Sequence, residues 1–346
     1  MKCTRCHERA EINLRSHHTA FCRACFILYF QRQVDRTITK EKMFTPHERI
    51  LVAVSGGKDS LALWDVLIAQ GYHTEGLYLD LGIGPYSAQS REKAERFAHT
   101  HAVPLQVVTL AEEAVSVPTA AQFTHRMPCA ACGTMKRHFF DQAAIEGGFD
   151  VLATGHNLDD EAARLLGNAL HWQTEYLARE KPVLTPTHPR FVRKVRPLYR
   201  LSELETAVYA FFRGIDYVIE ECPNSVGATQ LFYKDILNRI ETKMPGTKLT
   251  FVQEFLRSAQ PLFVAPDGSP PRECEGCGMP AFAAVCSFCS LLREVERKQD
   301  NAERKQAAAG VWQAEPQNRR TAEPQREGGS SPVPRFSDSP IPDLKR

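Results

Sequence analysis

Most cysteines of this chain occur in pairs whose members are separated by two residues. Eleven cysteines form five such pairs and one single residue. Two pairs near the start and two near the end offer four thiolates each, which is a donor set typical of structural zinc. These pairs are Cys3/Cys6 with Cys22/Cys25, and Cys274/Cys277 with Cys286/Cys289. The spacing therefore predicts two structural zinc sites. Unligated thiols, or zinc modules that contact RNA, are the alternatives.

Three further cysteines lie in the middle of the chain, and their chemistry is open. Cys129 and Cys132 form a CAAC motif, and Cys222 stands alone in an ECPN sequence. Three thiolates suit a [4Fe-4S] cluster that leaves one iron open for an exogenous sulfur ligand. The same thiols also suit a persulfide that is resolved as a disulfide, or a redox-inert pair beside an unrelated cysteine. The residues alone do not choose among these.

A glycine-rich loop with the sequence SGGKDS directly follows a buried apolar segment. Its residues are Ser55, Gly56, Gly57, Lys58, Asp59 and Ser60. The glycines permit positive φ and close approach, so several backbone N–H groups can converge on phosphate oxygens. A helix N-terminus and Lys58 add positive charge, and the two serines add hydroxyl donors. The GxxxxGK(S/T) spacing of a Walker A loop is absent. The loop is predicted to bind phosphates, an ordinary glycine turn being the alternative.

A cluster of carboxylates follows another apolar segment, in the sequence GHNLDDE that begins at Gly155. Asp160 is a candidate to hold Mg²⁺ or to orient a reacting group. Asp159 or Asp160 ahead of an apolar helix is also a normal helix start signal. The two roles are compatible, and this turn is therefore a second candidate part of the site.

The elements that carry these residues alternate between strand and helix. The predicted strands are Arg49–Val54, Thr74–Leu79, Leu105–Leu110 and Asp150–Thr154, and the helices between and after them are Ser60–Gln70, Ser87–His101, Gly133–Gly147 and Leu158–Leu170. This order predicts an α/β fold, a parallel sheet with helices on both faces. Because the carboxyl ends of parallel strands share one edge, the glycine-rich loop and Asp160 should face the same crevice.

The remaining segments suggest three appendages to this domain, which spans residues 31–271. Residues 1–30 and 272–292 are expected to be zinc modules, the first docked by a helix over Phe26–Glu41. Helices are also expected over Ser202–Arg213 and Thr229–Lys243. Residues 300–346 are rich in Pro, Gly, Ser and Gln and are predicted to be disordered.

Bulk properties restrict the partners and the compartment. The formal net charge is only +2, so any surface for RNA must be a local patch. The basic stretch from Arg190 to Arg200 is one candidate for phosphate contacts, and an exposed basic strand edge is the other reading. The sequence shows no apolar signal-peptide core and no span for a bilayer. Reduced cysteines and a cytoplasmic location are therefore expected.

Together these motifs resemble a known group. SGGKDS resembles the PP-loop of the ATP pyrophosphatase superfamily, whose members adenylate a substrate and release pyrophosphate. With CAAC, TGHNLDD, ECPN and the terminal cysteine pairs, roughly residues 1–290 resemble the TtcA/TtuA family of tRNA 2-thiolation enzymes. The segments LWDVL, GIGPYS and CGTMKR place the likeness nearest the TtuA branch.

That resemblance implies ATP-dependent replacement of the C2 oxygen by sulfur in the T-loop 5-methyluridine of tRNA. It implies ATP, Mg²⁺, two zinc ions and a [4Fe-4S] cluster as cofactors. As partners it implies tRNA, a ubiquitin-like sulfur carrier with a C-terminal thiocarboxylate, and a second copy of the chain. Some relatives have His at the position of Cys25. The cysteine at this position makes the first site of this chain all-thiolate.

The resemblance also assigns roles to individual residues. The catalytic residues would be Lys136, Asp160 and Asp59, the cluster ligands Cys129, Cys132 and Cys222, and the nucleotide-binding residues Ala53, Ser55, Gly56, Gly57, Lys58, Asp59, Ser60, Leu79, Lys136 and Gly155. Three alternatives stay open. They are wobble-uridine thiolation by the same chemistry, adenylation without sulfur, and a non-catalytic zinc-ribbon protein that binds RNA.

Overall fold

A six-stranded sheet lies at the centre of the molecule. The computed structural model describes residues 1–264 and 270–313. The strands are β1 Ile12–Leu14, β2 Thr19–Phe21, β3 Ile50–Val54, β4 Thr74–Asp80, β5 Leu105–Thr109, β6 Val151–Thr154, β7 Val183–Leu184, β8 Arg193–Val195, β9 Arg272–Glu273 and β10 Pro280–Ala281. The central sheet has the order β5-β4-β3-β6-β8-β7. All neighbouring pairs in it are parallel except β7 with β8.

Helices connect the parallel strands and cover the sheet. They are α1 Arg23–Lys40, α2 Lys58–Ala69, α3 Gly84–His101, α4 Leu110–Glu113, α5 Val117–Thr124, α6 Pro128–Glu146, α7 Leu158–Leu170, α8 Thr174–Ala178, α9 Glu203–Arg213, α10 Thr229–Lys243, α11 Thr247–Glu254 and α12 Ser287–Gln313. Short 3₁₀ turns lie at Arg15–His17, Pro223–Ser225 and Gln260–Leu262, and a π turn lies at Phe255–Ala259.

Both faces of the sheet are buried, as the period of two along a strand requires. Ile50, Val52 and Val54 of β3 belong to one core, which also contains Phe26 and Phe30 of α1. The intervening residue Leu51 belongs to the core on the opposite face. That second core also holds residues of the C-terminal cysteine module, including Phe288 and Leu291. The two cysteine modules therefore pack on opposite faces of the same sheet.

The N-terminal module is joined to the body by α1 and by a buried carboxylate. Phe26, Phe30 and Val34 of α1 are fully buried at helical spacing, which confirms the predicted docking helix. Glu205 of α9 accepts hydrogen bonds from the Tyr29 hydroxyl at 2.7 Å and from its own N-cap, Ser202. The Nε2 atom of His17 lies 3.3 Å from the same carboxylate.

The predicted fold class is confirmed, and three details differ from the expectations. The sheet gains two strands at one edge, and β7 makes it mixed rather than wholly parallel. Helix α6 begins at Pro128, not at Gly133, so Cys129 and Cys132 lie in its first turn rather than before it. Proline suits the first helical turn, because its missing N–H has no intrahelical partner there.

The last helix enters the segment for which disorder was expected. Helix α12 continues to Gln313, because residues 301–306 are Asn, Ala, Glu, Arg, Lys and Gln, most of them good helix formers. The compact body of the chain ends at Asp300. The rest of the predicted disordered tail, residues 314–346, lies outside the described residues. None of the described helices has the length and apolar character needed to cross a bilayer.

Candidate active site

The glycine-rich loop turns sharply between β3 and α2. Gly56 has a φ of +73°, and a Cβ added there would lie 2.2 Å from the backbone oxygen of Ser90. Gly57 is the N-cap of α2 and has an ordinary extended conformation, with φ −86°. Only Gly56 therefore needs the freedom and the small size of glycine. Since Gly57 has no side chain to cap the helix, the first N–H groups of α2 remain for an anion.

The two serines of the loop hold its shape. The Ser60 hydroxyl donates to the carbonyl of Gly57 at 3.0 Å and accepts from the N–H of Ser55 at 3.1 Å. Ser55 Oγ lies 3.2 Å from Ser60 Oγ. The hydroxyl of Ser60 is thus committed within the loop, whereas the sequence interpretation offered it to phosphate.

Four of the predicted nucleotide-binding residues meet in one pocket at the carboxyl edge of the sheet. Ala53, Ser55, Leu79 and Lys136 line it, from β3, the loop, β4 and α6. Gly155 packs against the opposite side of the loop, where an added Cβ would lie 2.9 Å from the backbone of Asp59. The loop therefore contacts the turn after β6 through Asp59 and lines the pocket through Ser55.

Asp160 both caps a helix and forms an ion pair with a lysine. One carboxylate oxygen accepts from the N–H of Asn157 at 3.1 Å, which completes a capping box at the start of α7. The other lies 2.7 Å from Nζ of Lys234. Burial acts to raise the pKa of Asp160, but Lys234 dominates and holds that pKa below its ordinary value. The structure therefore shows the capping role of this carboxylate and pairs its other oxygen with a lysine.

Two charged residues that the sequence interpretation missed complete this part of the site. Glu203, in the first turn of α9, lies 2.6 Å from Nζ of Lys58 and 3.2 Å from Nζ of Lys234. Lys58 also contacts Asp59 at 3.0 Å. Lys234 comes from α10, and neither residue belongs to a recognisable motif. The only local signal was the Ser202 capping box with Glu205, which fixes the start of the helix that carries Glu203.

The three central cysteines are brought towards one another by α6 and the turn after Cys222. The Cys129 thiol donates to the backbone carbonyl of Asn224 at 3.2 Å. Burial raises the pKa of Cys132, Lys136 acts against that rise, and Cys222 and Cys129 add to it. Burial also raises the pKa of Tyr86, with contributions from Cys222 and Cys132. Lys136, Cys129 and Cys222 are therefore near enough to Cys132 to affect its charge state.

The central thiols differ from the terminal cysteine groups in their spacing. Among the described residues, only the two terminal cysteine groups bring all their ligand atoms within 4.8 Å of one another. An all-cysteine donor set is usual for iron-sulfur clusters as well as for structural zinc. The amide nitrogen of Asn224, next to these thiols, is buried and has no partner within the described part of the chain.

The terminal cysteines form two compact tetrads. Cys6 and Cys22 have sulfurs 3.6 Å apart, and Cys277 and Cys286 have sulfurs 3.8 Å apart. Four sulfurs at about 2.3 Å from a tetrahedral zinc ion are separated by about 3.8 Å. Both groups therefore have the size of a four-thiolate metal site.

Backbone N–H groups support thiolates in these tetrads. Burial acts to raise the pKa of Cys274, but the N–H groups of Cys286, Cys277 and Gly276 lower it to about 6. A Cβ added at Gly276 would lie 2.9 Å from the sulfur of Cys289. The knuckle therefore requires glycine at this position, and the outer hydrogen bonds match those found around metal-bound thiolates.

The basic stretch from Arg190 to Arg200 is engaged within the protein. Strand β8 comes from this stretch and lies between β6 and β7, so it is not a sheet edge. Four basic side chains of the stretch have carboxylate partners within the protein. The partners are Glu273 for Arg190, Glu48 for Arg193, Asp141 for Lys194 and Glu161 for Arg196, and Arg193 also donates to the Met43 carbonyl. Internal ion pairs therefore account for most of the basic run.

The order of these features matches two family models. One described as a PP-loop domain matches residues 28–227. Another, described as the N-terminal LIM domain of the 2-thiouridine synthetase TtuA, matches residues 2–27. The first model covers the sheet from β3 to β8 and all three central cysteines, and the second covers the first cysteine tetrad.

Named relatives are similar over most of their length. The chain is 47% identical over 299 residues to the tRNA-5-methyluridine(54) 2-sulfurtransferase of Thermus thermophilus, covering 86% of this chain and 93% of that protein. It is 42% identical over 301 residues to the protein of the same name from Pyrococcus horikoshii, covering 86% and 96%. To cytoplasmic tRNA 2-thiolation protein 1 of Bos taurus it is 32% identical, covering 97% and 99%.

A solved structure agrees with these relatives. The U34-tRNA thiolase NcsA of Methanococcus maripaludis, solved with its [4Fe-4S] cluster, superimposes with a TM-score of 0.70 at 25% identity. The match covers 84% of this chain and 96% of NcsA. The chain therefore belongs to the PP-loop family of tRNA 2-thiolation enzymes, in the TtuA branch whose named members are tRNA-5-methyluridine(54) 2-sulfurtransferases.

Proposed function

We propose that this chain is an ATP-dependent tRNA 2-sulfurtransferase that acts on the T-loop 5-methyluridine at tRNA position 54, the nucleotide named in its relatives. The observation that carries this proposal is the course of helix α6. Its residue Lys136 lines the pocket beside the glycine-rich loop. Cys132 lies about one helical turn before Lys136, and Cys129 lies about two turns before it. One rigid helix thus joins a nucleotide pocket to a set of thiols.

The first step is activation of the uridine C2 oxygen. That oxygen attacks the α-phosphorus of ATP, and the bond to pyrophosphate breaks. The N–H groups at the start of α2 and Lys58 would hold the departing pyrophosphate. Lys136 would neutralise charge on the adenylate, and Asp160 and Asp59 would hold Mg²⁺, which offsets phosphate charge.

The second step replaces the activated oxygen. A sulfur atom attacks C2, the C–O bond to the adenylate breaks, and AMP leaves with the oxygen. Cys129, Cys132 and Cys222 would hold a [4Fe-4S] cluster, which would supply a binding site for this sulfur. Lys136 would attract both the anionic sulfur and the phosphate of the adenylate, since it is near enough to Cys132 to affect its charge state.

The cysteine tetrads complete the proposal as structural zinc sites. Each module adds buried residues to one core of the sheet, so metal loss should loosen the body. The sulfur source would be a ubiquitin-like carrier with a C-terminal thiocarboxylate, and the enzyme would act as a homodimer in the cytoplasm, as the family resemblance implies. The cytoplasmic setting also agrees with the name of the eukaryotic relatives.

Wobble-uridine thiolation is a second candidate, because the superimposed structure is a U34-tRNA thiolase. The higher identity to the position-54 enzymes favours the T-loop. Nucleoside analysis of tRNA from a deletion strain decides between them. We expect loss of 2-thio-5-methyluridine at position 54 and restoration by the wild-type gene. Loss of sulfur at position 34 would instead assign the wobble function.

Metal analysis tests the cofactors. After anaerobic purification we expect about two zinc and about four iron with matching sulfide per chain. A Cys222→Ser protein that stays folded should keep its zinc and lose iron and thiolation. Zinc without iron, even after reconstitution, would favour a persulfide on the central thiols. Full thiolation by Cys222→Ser would exclude both routes.

A further inference from the structure

Five charged side chains form a continuous series across the carboxyl edge of the sheet. It starts at Asp59, passes through Lys58, Glu203 and Lys234, and ends at Asp160. The successive nitrogen to oxygen distances are 3.0, 2.6, 3.2 and 2.7 Å. Acidic and basic groups alternate along the series, so each lysine lies between two carboxylates.

Asn157 closes this series into a ring. Its amide nitrogen donates to Asp59 at 3.0 Å, and its backbone N–H donates to Asp160 at 3.1 Å. The ring contains three carboxylates and two ammonium groups. Glu203 is the one acidic member that contacts both lysines, one through each carboxylate oxygen.

This arrangement conflicts with the role that the proposed function gives to Lys58. A phosphate on Lys58 and the carboxylate of Glu203 would place two anions on one ammonium group at close range. One of the lysine's present partners must therefore move when a nucleotide enters. Asp59 is held by Asn157, whereas the Glu203 side chain is the more exposed of the two, at 35% against 26%.

We propose that Glu203 is a positioning residue that takes the place of nucleotide phosphates until a nucleotide binds. It bridges Lys58 and Lys234 as a phosphate would, and it yields Lys58 when the phosphates of ATP arrive. Lys234 keeps its shorter contact with Asp160 through this exchange, so the carboxylate end of the ring stays in place. Glu203 then competes with pyrophosphate for Lys58, and its renewed contact with Lys58 favours product release.

The inference rests on the proposed function, because it takes the glycine-rich loop to be the phosphate site. It has a distinctive consequence. Removing the Glu203 charge should strengthen phosphate binding and slow turnover together. A merely structural residue would weaken binding, lower the unfolding temperature, or do both.

The test is calorimetric titration of the full-length protein with magnesium pyrophosphate and with magnesium ATP, without tRNA or a sulfur source. We expect Glu203→Gln to bind both ligands about threefold to tenfold more tightly than wild type, the range for removing one competing charged contact. Glu203→Ala should show the same direction. Glu203→Asp, which keeps the charge, should stay within about twofold of wild type.

Glu75→Gln is the matched control, since Glu75 pairs with Arg49 at the amino end of the sheet and its loss changes the net charge equally. Its affinities should equal those of wild type.

In steady-state thiolation Glu203→Gln should lower KM for ATP and lower kcat at least threefold. Unchanged or weaker pyrophosphate binding by both Glu203→Gln and Glu203→Ala would overturn the inference. Failure of the wild type itself to bind either ligand would overturn the proposed function with it.

Discussion

At the scale of single residues, Lys136 lies where the pocket and the central cysteines meet. It lines the pocket beside the glycine-rich loop and acts on the charge state of Cys132. Under the proposed function, its ammonium group would therefore serve both the adenylate and the sulfur. The adjacent residue Arg137 has a different environment, since it donates only to Thr134 on its own helix among the described hydrogen bonds.

Replacing Lys136 should therefore separate binding from chemistry. We expect Lys136→Met to lower single-turnover thiolation by about a hundredfold or more, the usual cost of removing one stabilising donor from a reacting charge. The measurement is thiolated nucleoside per minute by mass spectrometry. Arg137→Met is the control and should keep most of the activity. Equal losses in both variants would show that Lys136 has no special role.

The two loop glycines provide a second test at this scale. Gly56→Ala places a Cβ against the Ser90 carbonyl and adds strain at positive φ, so it should lower the free energy of unfolding by about 1–3 kcal/mol. Gly57→Ala meets nothing closer than 3.4 Å and should be nearly neutral. Chemical denaturation measures both variants. A tolerated Gly56→Ala would mean that the loop can relax away from α3.

At the scale of elements, α9 connects the N-terminal module to the site. Glu205 contacts Tyr29 and His17 of that module, and Glu203, in the same first turn, contacts the two lysines of the ring. The hydrogen bond that His17 donates to Glu205 raises the pKa of His17. Burial acts to raise the pKa of Glu205, but His17 and Ser202 hold it below its ordinary value.

This pair predicts a defined pH dependence of stability. The His17 contribution is complete below its unfolded pKa of 6.5 and is lost as pH rises through the raised folded value. The Glu205 contribution is complete above 4.5 and is lost as pH falls through the lowered folded value. The pair should therefore stabilise the protein most between these two values.

The check compares wild type with His17→Gln by denaturation across pH. The difference in unfolding free energy should be greatest near pH 6, at about 1 kcal/mol or less for this partly exposed pair, and should shrink towards pH 9. His18→Gln, at the neighbouring position, serves as control. A difference that stays constant with pH would mean that His17 contributes by packing and not by charge.

The elements also show how far the sequence alone could lead. The cysteine tetrads and the glycine-rich loop were predictable, because their chemistry depends on spacing within a few residues. Glu203 and Lys234 were not, because they reach Lys58 and Asp160 from helices far along the chain. Strand β8 was foreseen only as an exposed basic edge, for another reason. Arg193 and Lys194 are paired with internal carboxylates, so the segment lacks the apolar pattern of an internal strand.

The partners of β8 lead to a prediction about RNA. Because Arg193 and Lys194 each hold a carboxylate, the double charge reversal Arg193→Glu with Lys194→Glu should lower the unfolding temperature by several degrees. We expect the salt dependence of tRNA binding, measured at a temperature where the variant is folded, to stay unchanged. A shallower salt slope in the folded variant would show that this stretch contacts phosphates after all.

At the scale of the whole molecule, one sheet edge gathers groups from distant parts of the chain. The loop after β3, the turn after β6, helix α6 and the start of α9 all contribute to it. The cysteine modules lie on opposite faces of that sheet, each sharing a core with it. Under the proposed function, adenylation and sulfur delivery would occur in one crevice, and the two cysteine modules would support it.

The central claim is that this crevice uses ATP to replace oxygen by sulfur at tRNA position 54. In the most direct test, anaerobically purified protein is incubated with tRNA that lacks the 2-thio group, magnesium ATP and sulfide. The products are then quantified. We predict one AMP and one pyrophosphate for each 2-thio-5-methyluridine formed, with the sulfur mapped to position 54. ATP left unconsumed in the presence of tRNA, or sulfur found at another nucleotide, would contradict the account.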